Sequence, residues 1–238
     1  MISSLFSAVI YNPLYNGLVA LVDYMPGGSL GLSLIALTLI VKFILFPISR
    51  KAVHTQMKMR EIEPELREIK EKYKDNREQQ ALKTFEVYKQ ANINPFSSFF
   101  MVIVQIPIII GLYWVFLKSG LPEINADILY PFVHMPEMIS TMFLAIDLTG
   151  KSWLFAAAAG LTQFYQMALA TPPAPATDGT PSFAVDLAKS MQHMRFVLPV
   201  VIFFVAHSIS AAVALYWTTN NIFTICQELY LRRHREKI

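Results

Sequence analysis

Charged residues are scarce in this sequence. Asp, Glu, Lys and Arg make up 16% of its 238 residues, whereas a typical soluble domain has about 25%. Hydrophobic residues account for 54% of the chain, and the mean hydropathy is +0.42. This composition argues against a soluble globular protein and indicates an integral membrane protein.

Cysteine is almost absent as well. The single Cys226 excludes an intramolecular disulfide, and no Cys/His pair has the spacing of metal ligands. The sequence has neither an HExxH motif nor a Gly-rich phosphate loop. His207 is close to Ser208 and Ser210, but neighbours at a turn between two spans do not converge on a nucleophile geometry. We therefore expect no enzymatic activity, no bound metal and no cofactor.

Basic residues are absent before Lys42, so the chain has no basic n-region of a secretory signal peptide. Eleven of the 20 Lys and Arg residues lie between positions 50 and 92, and the tail RRHREK at 232–237 has four more. Positive charge is retained on the cytoplasmic side of a membrane. The distribution therefore predicts an external N-terminus and a cytoplasmic C-terminus.

Long hydrophobic runs occur in four regions. A helix needs about 20 residues to cross the bilayer core. The last region, 195–230, is too long for one crossing and has a polar break at 207–210, so we divide it into two spans. The prediction is an all-α membrane protein with five transmembrane helices, located at 29–49, 95–117 and 152–170 and in the two halves of 195–230.

The segments around the spans complete the predicted organisation. Residues 1–28 are predicted to form an external segment with an amphipathic interfacial helix, in which an apolar stripe lies next to the polar residues Asn12, Asn16 and Asp23. Pro13 and Pro26 bracket a run that is too short for a span; the alternative is a plain start of the first transmembrane helix, 29–50. Residues 51–93 have two helical apolar stripes around a KDNRE turn, which predicts a cytoplasmic helical hairpin.

The remaining part, 94–238, contains the other four spans, a cytoplasmic Pro-rich loop at 171–190 and the basic tail.

Lys42 lies inside the first predicted span. It precedes Arg50 by eight residues, which places it ~12 Å from the cytoplasmic end and near the midplane. A lysine at this depth costs roughly 2.5–3.5 kcal/mol. No acidic residue occurs in the spans before Glu228, so the ammonium either snorkels toward the headgroups or lines a hydrated cavity.

Polar residues at helical spacing on the other spans favour the cavity. Single amides in such helices are commonly only interhelical hydrogen bonds, but a polar stripe on four of five spans indicates a shared wet pocket. The candidate groove residues are Lys42, Thr38, Ser98, Gln105, Thr162, Gln163, Gln166, Asn220, Asn221, Thr224 and Gln227.

The order of several motifs resembles the YidC/Oxa/Alb family of membrane protein insertases over nearly the whole chain. Each motif alone is loose, but their joint order and spacing are specific. The motifs are NPLYN at 12–16, LTLIVKFILFPISRKA at 37–52, MKMREIEPELREIKEKY at 57–73, NINPFSSFFMVIVQIPIIIGLYW at 92–114, FLAIDL at 143–148, GLTQFYQM at 160–167 and ALYWTTNNIFTICQE at 214–228.

The resemblance implies a five-helix core around a hydrophilic groove that is open to the cytoplasm and to lipid and closed on the outside. In the family the positive groove residue is usually arginine; Lys42 keeps the charge but not the planar guanidinium. Gln105, Asn221 and Gln227 match polar positions of the family. The HSISA segment at 207–211 departs from the family's link between the last two spans.

The implied function is insertion and folding of nascent membrane proteins in the bacterial cytoplasmic (inner) membrane, without nucleotide hydrolysis. The implied partners are nascent membrane protein substrates, the lipid bilayer, ribosomes and targeting factors at the hairpin and basic tail, and a Sec-type translocon. Two alternatives remain from the residues themselves. One is a small-solute transporter or channel with an anion site at Lys42, and the other is a structural subunit that packs against a larger translocon.

Overall fold

The computed structural model describes residues 2–93, 97–117, 123–170 and 183–234, without the side chains of 2, 3, 97–102, 117 and 183–192. The described chain is helical almost throughout, in agreement with the expected all-α class. Its helices are α1 (Ile2–Phe6), α2 (Asn12–Tyr24), α3 (Leu30–Glu61), α4 (Glu63–Lys72), α5 (Arg77–Gln90), α6 (Ser97–Leu117), α7 (Trp153–Ala170), α8 (Phe183–Ile209) and α9 (Ala211–Arg233). One short antiparallel hairpin pairs β1 (Met142–Phe143) with β2 (Ile146–Asp147).

Two helical stretches in the described residues are long and apolar enough to cross a membrane. They are Ser4–Tyr24 and Leu30–Glu61. Shorter apolar helices occupy Ile103–Phe116 and His193–Ile209. The five-span arrangement stays a prediction of the sequence, and most of the Pro-rich loop, residues 171–182, lies outside the described residues.

The N-terminal helix is longer than expected. Pro13 does not shorten it, because a π-helical turn at Ser7–Tyr11 runs directly into α2 and Pro13 falls in the first turn of that helix. The chain is already helical before Pro13, and the Asn12 amide next to it bonds to the Ser7 carbonyl in the wider π pattern, so the proline stands where the regular i→i−4 pattern is interrupted. The apolar helical run, Ser4–Tyr24, is therefore longer than the two prolines suggested, and the interfacial helix stays a prediction.

Asn16 lies on the packed face of α2, although the sequence analysis placed it with the polar residues of an amphipathic helix. Its amide donates to the Ile128 carbonyl over 2.9 Å and accepts from the Tyr130 amide over 2.6 Å. The neighbouring Tyr15 hydroxyl accepts from the Asn125 amide over 2.8 Å. A polar side chain is stable at this buried position because each of these bonds satisfies one of its groups.

The segment 123–152 joins the first turns of two helices. We call this segment the external cap, after the side of the membrane that the sequence predicts for it. At α3, the Leu30 amide donates to the Ser140 carbonyl over 3.0 Å. At α9, the amides of Ala211 and Ala212 donate to the carbonyls of Gly150 and Leu148 over 2.7 and 3.0 Å. The first amides of a helix have no partner within it, so the external cap supplies acceptors that the spans themselves cannot.

The long helices pack through small residues. α7 lies against both α8 and α9, and α3 lies along α9. At Gly160 a Cβ atom would lie 3.1 Å from the Pro199 carbonyl oxygen and 3.2 Å from Phe203 Cβ. Ala156 and Ala159 on the same helix are fully buried. Small residues allow helix backbones to approach closely, which is the usual way that helices associate in membranes.

The first span and the start of the predicted hairpin form one helix. α3 continues past residue 50 to Glu61, and only then does the chain turn into α4. Asn76 caps α5 by accepting from the Gln79 amide over 3.0 Å. The α3 residues Val53 and Met57 are buried against Leu231 of α9. Part of the apolar stripe expected on the hairpin is thus covered by α9.

Candidate functional site

The last helix, α9, carries polar side chains toward three different helices. It contacts α3, α6 and α7 through hydrogen bonds at successive positions along its length, and its C-terminal end has an ion pair. We call this series the polar ladder; it comprises the contacts of Tyr216, Asn221, Thr224, Gln227 and Glu228.

Lys42 is the residue of α3 that contacts the polar ladder at Thr224. Its Nζ donates to the Thr224 hydroxyl over 3.1 Å. That hydroxyl donates in turn to the backbone carbonyl oxygen of Asn220 over 2.8 Å. Among the described residues no carboxylate lies within ion-pair distance of the ammonium. Lys42 follows Leu30 by twelve residues, which is about 18 Å along the helix. The positive charge is therefore held deep along the helix by a neutral hydroxyl.

Four side-chain amides continue from Asn220 toward α7. Asn220 Nδ2 donates to Asn221 Oδ1 over 3.4 Å, and Asn221 Nδ2 donates to Gln163 Oε1 over 3.2 Å. Gln163 Nε2 then donates to Gln166 Oε1 over 2.9 Å. Asn221 Nδ2 also contacts the Thr162 hydroxyl at 3.3 Å. Every donor in this chain of amides points the same way, from α9 to α7.

Closer to the C-terminal end of α9, Gln227 Nε2 donates to the Ser49 hydroxyl of α3 over 2.6 Å. Ser49 Oγ donates to the carbonyl of Phe46 over 3.0 Å, so both side chains are satisfied although buried. This contact joins α3 and α9 about two turns from Lys42, toward the C-terminal end of α3.

On α6, Gln105 Nε2 donates to the Tyr216 hydroxyl over 2.7 Å. Tyr216 is five residues into α9, about 7 Å from the N-terminal end of that helix. Gln105 therefore lies nearer the N-terminal end of α9 than Lys42, which contacts Thr224 of the same helix. The Ser98 side chain, which shares its predicted face, lies outside the described residues.

Thr38 turns its hydroxyl back into its own helix. Its Oγ1 donates to the Leu34 carbonyl over 2.7 Å, and the side chain is only 3% exposed. Threonine commonly satisfies itself in this way within an apolar helix. The structure thus brings Lys42, Asn220 and Thr224 together and connects Asn221, Gln163 and Gln166 to them, while Thr38 and Gln105 lie apart.

A cluster of charged residues that was not predicted from the sequence lies at the C-terminal end of α9. Glu228, 3% exposed, pairs with Arg232 one turn later at 2.5 Å. Arg232 and Arg60 both donate to the carbonyl of Leu169 near the end of α7. Burial and the neighbouring Arg232 lower the pKa of Arg60. The i, i+4 spacing of Glu228 and Arg232 could have predicted the ion pair. Nothing in the sequence marks the backbone carbonyl of Leu169 as the acceptor for the two arginines.

His207 has an ordinary packing role. Its ring stacks on Trp153 with centroids 3.6 Å apart, at the junction of α7 and α8. Within the described residues no group of three His, Cys, Asp or Glu side chains could hold a metal ion.

Comparison with known proteins identifies relatives over most of the chain. The model of the protein family described as 60Kd inner membrane protein matches residues 21–237. Proteins named "Membrane protein insertase YidC" from Francisella tularensis subsp. novicida (strain U112) and subsp. holarctica (strain LVS) are each 33% identical over 208 residues, or 87% of this chain. The chain spans 33% of the length of these relatives. Their name does not support the solute transporter alternative.

Proposed function

Because the chain belongs to the 60Kd inner membrane protein family, we propose that it inserts nascent membrane proteins into the bacterial inner membrane. The observation that supports this most is the ammonium of Lys42, which is deep along α3 and hydrogen-bonded to the hydroxyl of Thr224. A hydroxyl does not neutralise the charge, so the ammonium stays available to an anionic group. Its other N–H groups have no partner among the described residues.

The proposed mechanism lowers a desolvation barrier. Burying an unpaired peptide or polar group in hydrocarbon costs several kcal/mol, roughly 2–7 by reference state. In the proposed groove, the partly exposed side chains of Lys42, Gln166, Asn220 and Thr224 offer hydrogen bonds part of the way across, and the buried amides of Gln163, Asn221 and Gln227 join the helices behind them. A short hydrophilic tail then crosses less hydrocarbon, and its apolar helix moves sideways into lipid. No bond is broken, and no nucleotide is consumed.

Lys42 attracts acidic residues of the tail in this proposal. The interaction between two unit charges at 4 Å rises from about 1 kcal/mol in water to about 4 kcal/mol at an effective dielectric constant of 20. A partly buried lysine therefore discriminates acidic from neutral tails more strongly than a surface lysine does. Gln227 and Ser49 lie between this site and the cytoplasm, so we propose that their contact opens when the groove is occupied.

The proposed topology has five spans, an external N-terminus and a cytoplasmic C-terminus. The external cap then closes the outer end of the bundle, because it binds the first turns of α3 and α9. The hairpin of α4 and α5 lies in the cytoplasm. Its Leu82 and Phe85 are 58% and 67% exposed. We propose this apolar pair as a contact for ribosomes or targeting factors; a Sec-type translocon is a second proposed partner.

Insertion by the purified chain tests the function. The chain is reconstituted into lipid vesicles, and a single-span substrate with a short polar tail is added during synthesis. Protection of the tail from external protease is the measure of insertion. We expect protection that depends on the chain. Protection equal to that of empty vesicles would contradict the proposal and favour a subunit that only packs against a larger translocon.

A further inference from the structure

An arginine lies between two aromatic rings where α7 packs against α8. The guanidinium carbon of Arg195 is 5.5 Å from the ring centroid of Phe164 on α7 and 5.6 Å from that of Phe196. The two rings are 5.9 Å apart. Arg195 is one turn from Pro199, and Phe164 is one turn from Gly160, where the two helices approach closely. Since aromatic faces attract cations, the rings hold the guanidinium at this helix contact.

The guanidinium of Arg195 has donors but no acceptor. It carries five N–H groups, and within the described part of the chain none of them has a hydrogen-bond partner. None of the described carboxylates lies within ion-pair distance of it either. Its Nε is buried, whereas its two terminal nitrogens are not among the buried unpaired atoms. The rings therefore fix a positive charge whose terminal N–H groups remain accessible to an acceptor from outside the chain.

The position of Arg195 along α8 places this charge at the edge of the hydrocarbon. The apolar part of the helix is His193–Ile209, and Arg195 is the third residue of that run. Helical side chains lean toward the N-terminus of their helix, so the guanidinium is directed away from the apolar run. Arg195 is also fourteen residues from Ile209, about 21 Å along the helix. The terminal N–H groups therefore lie where a bilayer has its phosphate groups.

An apolar stripe runs along α8 from the arginine toward the other end of the helix. Phe196, Val200 and Phe204 are each more than half exposed. They are spaced by four residues, so they lie on one face of the helix and extend over about 12 Å. One leaflet of a ~30 Å hydrocarbon core is about 15 Å thick. The stripe thus matches the depth of one leaflet, with the guanidinium at its headgroup end.

We propose that Arg195 and its two rings bind the phosphate group of one anionic phospholipid, with an acyl chain of that lipid along the apolar stripe. A guanidinium is planar and donates to two phosphate oxygens at once. Here the phosphate binds end-on, because the terminal nitrogens are the accessible ones. A zwitterionic lipid brings an ammonium beside the guanidinium, and no described carboxylate at this site offsets it. The site therefore prefers a lipid with net negative charge.

This lipid site is separate from the proposed groove. It contains no residue of the polar ladder, and it lies at the contact of α7 with α8 rather than between α3 and α9. The inference requires that the chain lies in a membrane, but it does not depend on insertion activity. Its test therefore measures lipid binding directly.

The test is native mass spectrometry of the full chain in detergent, titrated with lipid. Phosphatidylglycerol and phosphatidylethanolamine with the same acyl chains are compared, and glycerol 3-phosphate is the competitor that has the phosphate but no acyl chain. The variants are Arg195→Gln and Arg195→Lys. The matched control is Arg50→Gln, which removes the same charge. Arg50 is exposed after the apolar part of α3, and it contacts no aromatic ring or carboxylate among the described residues.

The expected result is a loss of affinity that is specific to Arg195. The parent chain should bind its first phosphatidylglycerol molecule roughly tenfold more tightly than Arg195→Gln, as expected for a charge-assisted pair. Arg195→Lys should be intermediate, because it keeps the charge but not the planar fork. Arg50→Gln should bind like the parent. The parent should also prefer phosphatidylglycerol to phosphatidylethanolamine several-fold, and glycerol 3-phosphate should not displace the lipid.

Equal affinity of the parent and Arg195→Gln for phosphatidylglycerol would overturn the inference, and so would an equal loss in Arg50→Gln, which would reflect net charge alone. Equal affinity for the two lipids would contradict the preference for an anionic lipid. Displacement by glycerol 3-phosphate would mean a site for free phosphate instead of a lipid. If Arg195→Gln unfolds, Phe164→Leu repeats the comparison; it removes one ring and should weaken binding roughly 2- to 5-fold.

Discussion

Gln227 and Ser49 join α9 to α3 through a hydrogen bond of 2.6 Å between two buried side chains. Neither residue is charged, and neither lies next to Lys42. The contact still matters for the groove, because it fixes the distance between α3 and α9, the two helices that carry Lys42 and Thr224. Its strength can be measured separately from insertion.

Ser49→Ala should destabilise the protein by about 0.6–2 kcal/mol, the range for interhelical hydrogen bonds in membranes. The loss leaves Gln227 Nε2 without its acceptor. Thermal unfolding in detergent is the measurement. The matched control is Ser208→Ala, because the exposed Ser208 hydroxyl donates only to the Phe204 carbonyl of its own helix. Equal unfolding midpoints for the two variants would contradict the structural role of Ser49.

Gly28 and Gly27 allow a test of the external cap. Both have a positive φ, of 62° and 64°. A Cβ on Gly28 would lie 2.2 Å from the Met138 carbonyl oxygen, whereas a Cβ on Gly27 would meet nothing within 4 Å. Gly27→Ala should therefore cost only the backbone strain, about 1–2 kcal/mol.

Gly28→Ala should cost clearly more than Gly27→Ala, because it also separates the cap from α3. The difference between the two variants isolates the contact with Met138. The unfolding midpoints of the two variants in detergent provide the comparison. Indistinguishable midpoints would show that the cap does not pack against this turn.

The ion pair at the C-terminal end of α9 gives a further prediction. Glu228→Gln removes the carboxylate that pairs with Arg232 and leaves two guanidinium groups on the Leu169 carbonyl. We expect a loss of about 1–3 kcal/mol in the free energy of unfolding, since hydrogen bonds to charged groups are stronger than neutral ones.

The exposed pair of Lys83 and Glu86 on α5 is the control for that measurement. Exposed pairs contribute little, so Glu86→Gln should leave the unfolding midpoint unchanged. A loss of stability as large as that of Glu228→Gln would mean that the buried pair has no special role in holding α3, α7 and α9 together.

The sequence predicted the parts of the fold that depend on local pattern. Helix positions follow from apolar runs, and Lys42 was recognisable because a single charge stands out in such a run. The directions of the amides were not predictable. Asn221 differs from Asn220 by one position, yet it faces α7, because one residue rotates a side chain by about 100°.

Contacts to the backbone of distant residues could not be predicted from the sequence either. Asn16 was placed on a polar face because its burial depends on Ile128 and Tyr130, more than a hundred residues away. The Leu169 carbonyl attracts two arginines, but every residue has a carbonyl, so no pattern marks this one. Pro13 was treated as a break because a π turn before it leaves no trace in the composition.

Exposed Leu82 and Phe85 predict a role for the hairpin. Replacing both with serine should leave stability unchanged, since neither side chain is buried. If they contact ribosomes or targeting factors, insertion coupled to translation should fall several-fold, while insertion of a substrate synthesised beforehand should not change. The same decrease in both assays would indicate an effect on the groove instead, and no decrease in either would leave the hairpin as a connector.

The charge at Lys42 is the centre of the proposed function, and its direct test is insertion by three variants in reconstituted vesicles. Substrates with acidic and neutral tails are compared in the parent chain, Lys42→Arg and Lys42→Ala. We predict that Lys42→Arg remains active on both tails, and that Lys42→Ala loses insertion of acidic tails by roughly tenfold, as expected for the loss of about 1.4 kcal/mol, and of neutral tails by less. Equal insertion of both tails by all three proteins would contradict the account.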